Sequence, residues 1–194
     1  MNIQTKLPFM SSVFGHLIFQ MFIMYRSLEA TINNASLNEF ATKNKLFLTL
    51  ANLGLFMTLI FVKMGIPYKV VLFTLASLTT GMLMYKITDM KEALLEAVAI
   101  FTAMLFAGIV TVKLGYDLSS LGLILMFSLI GLIFARLLSP GGRKYTKIAT
   151  LIFALFVVYD TNQILQRNYS GDFVNASLDY FIDIINLVRL SSDE

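Results

Sequence analysis

Two aspartates, Asp160 and Asp183, interrupt otherwise apolar stretches near the C-terminal end of the chain. An ionised carboxylate at the centre of a bilayer costs about 2.5–3.5 kcal/mol on insertion scales, so two of them call for a purpose. Asp160 closes the run from Lys147 to Tyr159, and Asp183 lies inside Leu178 to Val188. Neighbouring antiparallel helices would bring the two face to face. Carboxylates forced within a few ångströms of one another cannot both ionise cheaply, so they titrate as a coupled unit in which one proton is held toward neutral pH. Burial acts in the same sense, and a charge change near neutrality then needs no histidine. This is the chemistry of an intramembrane proton or cation site. A hard cation prefers oxygen ligands; the ionised pair would attract it and the protonated pair would not. Plainer roles stand beside this one. Asp160, followed by Thr161, Asn162 and Gln163, could end a helix near the interface, and Asp183 could form a salt bridge with Arg189.

The elements that must position these residues are membrane helices. The chain has 194 residues, 57% hydrophobic and 14% charged, with a mean hydropathy of +0.76. Soluble domains run at about 45–50% apolar and about 25% charged, so this composition specifies an integral membrane protein. A bilayer-crossing helix needs about 20 mostly apolar residues. Stretches of that kind occur at Phe9 to Tyr25, Leu46 to Val62, Val70 to Tyr85, Ala93 to Val112, Leu118 to Leu138, Ile148 to Leu165 and Phe173 to Leu190. They do not alternate in polarity, which argues for helices and against a barrel. The fold class expected is therefore all-α: a single transmembrane helical domain over residues 1–194 with about seven spans, the last short and compatible with a re-entrant hairpin. The third stretch is short for a crossing. The segment Leu28 to Lys45 reads as a solvated loop, and breaks are expected at Gly65 and Pro67 and at Pro140-Gly141-Gly142.

Charge sets the orientation. Lys6, Lys63, Lys69, Lys113 and Arg167 fall on one side, while Arg26, Lys43, Lys45, Lys86, Lys91, Arg136, Arg143, Lys144, Lys147 and Arg189 fall on the other. The richer side is expected to be cytosolic, and with it the C-terminus. The membrane, whether endoplasmic reticulum or plasma membrane, is not specified. The net charge of +3 is small and no basic run interleaves with aromatics, so nucleic acid is not an expected partner. With 0 Cys there is no disulfide, thiolate nucleophile or zinc-thiolate site, and a single His cannot build a multi-histidine metal centre. Asn34, Asn168 and Asn175 match the glycosylation triplet, a pattern common by chance.

The segment Tyr159-Asp160-Thr161-Asn162-Gln163-Ile164, with Leu178-Asp179-Tyr180-Phe181-Ile182-Asp183-Ile184-Ile185-Asn186-Leu187, resembles the C-terminal signature of the Bax inhibitor family, also called the transmembrane Bax inhibitor motif or lifeguard family. Ala93 to Val112 and the connection Thr111-Val-Lys-Leu-Gly-Tyr-Asp117-Leu-Ser-Ser-Leu-Gly122 are similar to that family's fourth span and the turn after it. The resemblance implies a seven-helix fold around an aspartate pair, here Asp160 and Asp183, in a pH-sensitive calcium leak channel that suppresses cell death. No cofactor is implied; calcium enters as the permeant or bound ion. Lipid, calcium, protons and other membrane or apoptosis-related proteins are the partners. A non-conducting scaffold acting through partner proteins is the alternative.

This chain departs from the family pattern. Arg189 follows Asn186-Leu187-Val188 at once, so a shortened last helix is expected, with Arg189 facing the same side one turn nearer the pair. The second stretch carries Asn52 and no acid, and only Lys63 and Lys69 follow it; either could stand in for an arginine latch on the aspartate pair, without the forked geometry of an arginine. Asp179, one turn before Asp183, could add a cation ligand or be a solvated residue at the helix start. Glu96 is expected near a helix start or snorkelling to the interface. His16, with Gln20 one turn on, could sense protons but more simply hydrogen-bonds between helices. Gly54, Gly81, Ala103 and Gly108 are expected at close helix contacts, with Met and Phe facing lipid or filling the core. Tyr159-Asp160 and Gly171-Asp172 faintly echo intramembrane aspartyl proteases. The spacing is too short and no Pro-Ala-Leu segment occurs, so no enzyme activity is expected.

Overall fold

A computed structural model describes residues 6–87, 89–138, 142–166 and 171–192, the side chains of 136, 137, 142 and 143 excepted. The break at Pro140, the Asn168 triplet and Arg167 lie outside the described residues, as do the side chains of Arg136 and Arg143. The described residues form helices and no strand: α1 (Leu7–Asn33), α2 (Ala35–Lys43), α3 (Lys45–Phe61), α4 (Ile66–Leu83), α5 (Met90–Lys113), α6 (Ser119–Leu138), α7 (Gly142–Gln166) and α8 (Phe173–Ser191). Each of the seven apolar stretches falls on one of these helices. By length and composition α1, α4, α5 and α7 suffice to cross a membrane, and α2 with α3, bent by 80°, makes up to five.

Three local expectations are corrected. The segment Leu28 to Lys45 is not a solvated loop: α1 continues to Asn33, and α2 begins immediately after Asn34, whose side chain accepts from the Ser36 and Leu37 N–H groups. Asparagine is among the strongest N-caps, because its oxygen satisfies N–H groups that a first helical turn leaves open. Pro67 does not break the chain but sits in the first turn of α4, where its missing N–H costs nothing, and so the third span starts four residues earlier and reaches 18 residues. Gly54 and Ala103 face outward, with nothing within 4 Å of a Cβ added at Gly54.

The chain divides into two compact units, residues 8–87 with 171–181, and residues 1–7 with 88–170 and 182–194. In the first, α1 and α4 run side by side in the same sense, with contacts stepping from His16–Phe73 through Gln20–Thr74 to Met24–Gly81. Gly81 is a notch: an added Cβ would overlap the Met24 carbonyl oxygen. Ser27 Oγ donates to the Leu78 carbonyl beside it at 2.7 Å. Phe73 and Phe181, both fully buried, meet edge to face at 4.9 Å. In the second unit α5 and α6 pack on α7 through two more notches, since a Cβ at Gly108 would lie 2.5 Å from Thr161 and one at Gly122 2.6 Å from Tyr159. Small residues permit this approach where lipid offers helices no hydrophobic incentive to associate.

Candidate functional site

The second unit contains both aspartates, Asp160 on α7 and Asp183 in the second half of α8. Asp160 does not end its helix, which runs on to Gln166. Its neighbours are clamped on either side, Tyr159 against Gly122 of α6 and Thr161 against Gly108 of α5. Asp183 is 4% exposed and follows Phe181 among Ile184, Ile185 and Leu187, all buried. Asn186 and Arg189 follow on α8, Arg189 exposed in the last turn, and Asp179 precedes by one turn in the half of α8 that belongs to the first unit.

The turn after Asp160 is fixed by one asparagine. Asn162, fully buried, donates from Nδ2 to Thr111 Oγ1 and to the Tyr116 carbonyl, both at 2.9 Å. Its Oδ1 accepts from the Leu118 N–H at 3.2 Å and from Gln166 Nε2 at 3.2 Å. Gln166 lies one turn on in α7, and the other three partners belong to the end of α5 and the connection to α6. That end is a Schellman motif: Gly115 has φ +80, its N–H bonds the Val112 carbonyl, and the Tyr116 N–H bonds the Thr111 carbonyl. The left-handed glycine turns the Tyr116 carbonyl and the Leu118 N–H to Asn162. The connection that resembles the family thus becomes a polar staple holding α7 where Asp160 projects.

The first unit holds a polar site that sequence inspection saw only in part. His16 Nδ1 lies 2.7 Å from Ser177 Oγ and His16 Nε2 lies 3.1 Å from Gln20 Nε2. Ser77 Oγ donates to Gln20 Oε1 at 2.9 Å, which fixes the amide so that Nε2 donates to Thr74 and to His16. His16 Nε2 must then accept, so the ring is neutral with its proton on Nδ1, donated to Ser177; Ser177 in turn donates to the Val174 carbonyl at 2.9 Å. His16 is therefore an interhelical hydrogen-bond group joining α1 to α8. Nearby, Lys69 of α4 pairs with Asp172 and donates to Asn175 Oδ1 at 3.0 Å. Asp172 is the N-cap of α8, its Oδ1 accepting from the Asn175 N–H at 3.1 Å. Lys63 is exposed between α3 and α4. Thr74, Ser77 and Ser177 carried a signal, as hydroxyls inside apolar runs; nothing in the sequence pairs Lys69 with a residue 103 positions later.

A profile of the family described as "Inhibitor of apoptosis-promoting Bax1" matches residues 7–190. Among curated relatives from Arabidopsis thaliana, the "BI1-like protein" is 26% identical over 200 residues, 95% of this chain and 78% of that protein. "Protein LIFEGUARD 1" is 28% identical over 106 residues, 50% of this chain and 44% of its own length, and "Protein LIFEGUARD 3" is 35% identical over 80 residues, 38% and 32% respectively. The matched region spans less than half the length of the two LIFEGUARD proteins.

Proposed function

The chain is a multi-pass membrane protein of the Bax inhibitor family, and from that premise we propose that it acts as a pH-sensitive calcium leak and thereby suppresses cell death. The observation that carries the reading is the burial of Asp183 within an apolar stretch, in the same compact unit as Asp160. A carboxylate so placed must be compensated by a proton, a cation or a hydrogen-bonded partner, and a second carboxylate makes that compensation depend on pH. In this mechanism Asp160 and Asp183 share a proton, and the ionised pair attracts the cation. The polar staple at Asn162 and the glycine contacts at Tyr159 and Thr161 hold Asp160 in place. Asn186, Arg189 and Asp179 line the same helix as Asp183. Lys69 is engaged by Asp172 and Asn175, and on this reading helps position α8. No enzymatic step and no resident cofactor enter the mechanism; calcium and protons are what it handles. The excess of lysine and arginine on alternate connections supports a cytosolic C-terminus.

The test is release from calcium-loaded liposomes containing the purified chain. Release that varies with pH and falls to the protein-free rate in Asp160→Asn and in Asp183→Asn supports the leak. Calcium retention at every pH by the folded wild-type chain sinks it, and leaves the non-conducting scaffold as the reading.

A further inference from the structure

We propose that α2, with Lys45 and Lys86 beside it, is an interfacial helix that lies along the membrane surface and binds anionic lipid headgroups. This inference is independent of whether the chain conducts calcium. It starts from the helix itself. At 100° per residue Leu37, Phe40 and Ala41 fall within an arc of about 100°, while Glu39 and Lys43 share the far side, where they form an ion pair at 2.5 Å. Ala41 is buried, whereas Leu37 and Phe40 are 37% and 45% exposed, so the apolar face is only half covered by protein.

The direction of α2 follows from its neighbour. Leu46, Phe47, Leu50 and Leu53 of α3 are all more than half exposed, an apolar surface suited to lipid tails, so α3 enters the hydrocarbon. A helix bent by 80° from it at a break of one residue runs along the membrane surface. An amphipathic helix so placed sinks its apolar face about 5–10 Å into the boundary between headgroups and acyl chains.

The headgroup charge is read from a cluster at the end of α2. Thr42 Oγ1 and Tyr85 Oη are 2.9 Å apart, and the Lys86 ammonium lies 5.6 Å from the centre of the Tyr85 ring. The Tyr85 phenol ionises below the usual tyrosine range, because the Thr42 hydroxyl bonds it and, against some desolvation, because the Lys86 and Lys45 ammoniums lie near. Both lysines are exposed, and no salt bridge engages either among the described residues. Arg26 and Lys43 are already neutralised by Glu29 and Glu39. Two uncompensated cations around a phenol, next to a helix that faces lipid, match the phosphate of an anionic headgroup.

The chain has 0 Trp, so Phe40→Trp reports alone, with Leu37→Trp as the second probe should the first fail to fold. In vesicles, Trp emission is expected to be blue-shifted and quenched more by lipids brominated near the headgroup than by lipids brominated at the chain ends. Brominated phosphatidylglycerol, diluted into phosphatidylcholine, is expected to quench more than brominated phosphatidylcholine at the same fraction. The preference should correspond to roughly five-fold local enrichment per lysine and should vanish in Lys45→Gln/Lys86→Gln. Water-like emission without quenching, or strongest quenching at the chain ends, overturns the interfacial placement. Equal quenching by the two headgroups overturns the anionic site.

Discussion

Lys69 and Asp172 form an ion pair that joins the first turn of α4 to the N-cap of α8, and the lysine side chain is 8% exposed. The aspartate thus does two things at once, capping a helix with one oxygen and neutralising a buried ammonium with the other. Lys69→Met leaves the carboxylate without its cation in a part-buried place. We expect a loss of about 3 kcal/mol, the lower end for broken buried pairs because Asp172 keeps some solvent. Asp172→Asn retains the cap but strands the ammonium, and Lys69→Met/Asp172→Asn should recover part of the loss of Lys69→Met. Unfolding in detergent micelles measures all three. A Lys69→Met protein as stable as wild type would refute the assignment.

Asn162 makes bonds in both directions, so its replacements are informative. Asn162→Leu removes the donors to Thr111 and Tyr116 and the acceptor for the Leu118 N–H together, at about 0.6–1.7 kcal/mol each on membrane-protein scales. Asn162→Asp keeps the acceptor alone and should cost less at Leu118 than at Tyr116. Amide exchange reads this directly: the Leu118 N–H should lose protection in Asn162→Leu and keep it in Asn162→Asp. Unchanged protection in the leucine variant would exclude the staple.

The glycines divide into two groups with opposite outcomes. An alanine at Gly81 meets the Met24 carbonyl and one at Gly108 meets Thr161, so both should destabilise by about 1–3 kcal/mol through overpacking. Gly54 is helical with open space beside it, and Gly54→Ala should be neutral or stabilise by up to about 1 kcal/mol through helix propensity. Thermal stability in one detergent ranks the three. Equal effects at Gly54 and Gly81 would contradict the notch.

His16 is the sole histidine, so its nitrogen resonances need no assignment. The hydrogen-bond network calls for a neutral ring protonated at Nδ1, a tautomer that nitrogen NMR distinguishes from its alternative. Ser177→Ala should weaken that preference, and Gln20→Leu should release Nε2 to accept a proton. A ring protonated at Nε2 in the wild type would require the Gln20 amide to be reversed.

Much of the fold could be read from composition because a bilayer leaves a chain few solutions. Every apolar stretch became a helix, and the two aspartates were placed on α7 and α8. What escaped was decided by local chemistry that hydropathy averages away. The segment around Asn34 is too polar for a span, so it read as loop, although one capping side chain was enough to start α2. Pro67 read as a break because proline's effect depends on which turn it occupies. Gly54 and Gly81 look alike in sequence and differ only in what faces them. Of the site, Asp160 and Asp183 were visible as charges in an apolar setting. Lys69 was visible as a loop charge and a stand-in for an arginine latch, but not as the partner of Asp172 and Asn175, which become its neighbours through folding.

The placement of Asn175 bears on how sidedness can be mapped. Its side chain is held by Lys69 and its backbone belongs to the opening turn of α8. Oligosaccharide transfer needs an asparagine presented on an accessible surface loop. The triplet at Asn175 is therefore expected to remain unmodified whichever compartment it faces, and the absence of a sugar there would say nothing about the lumen.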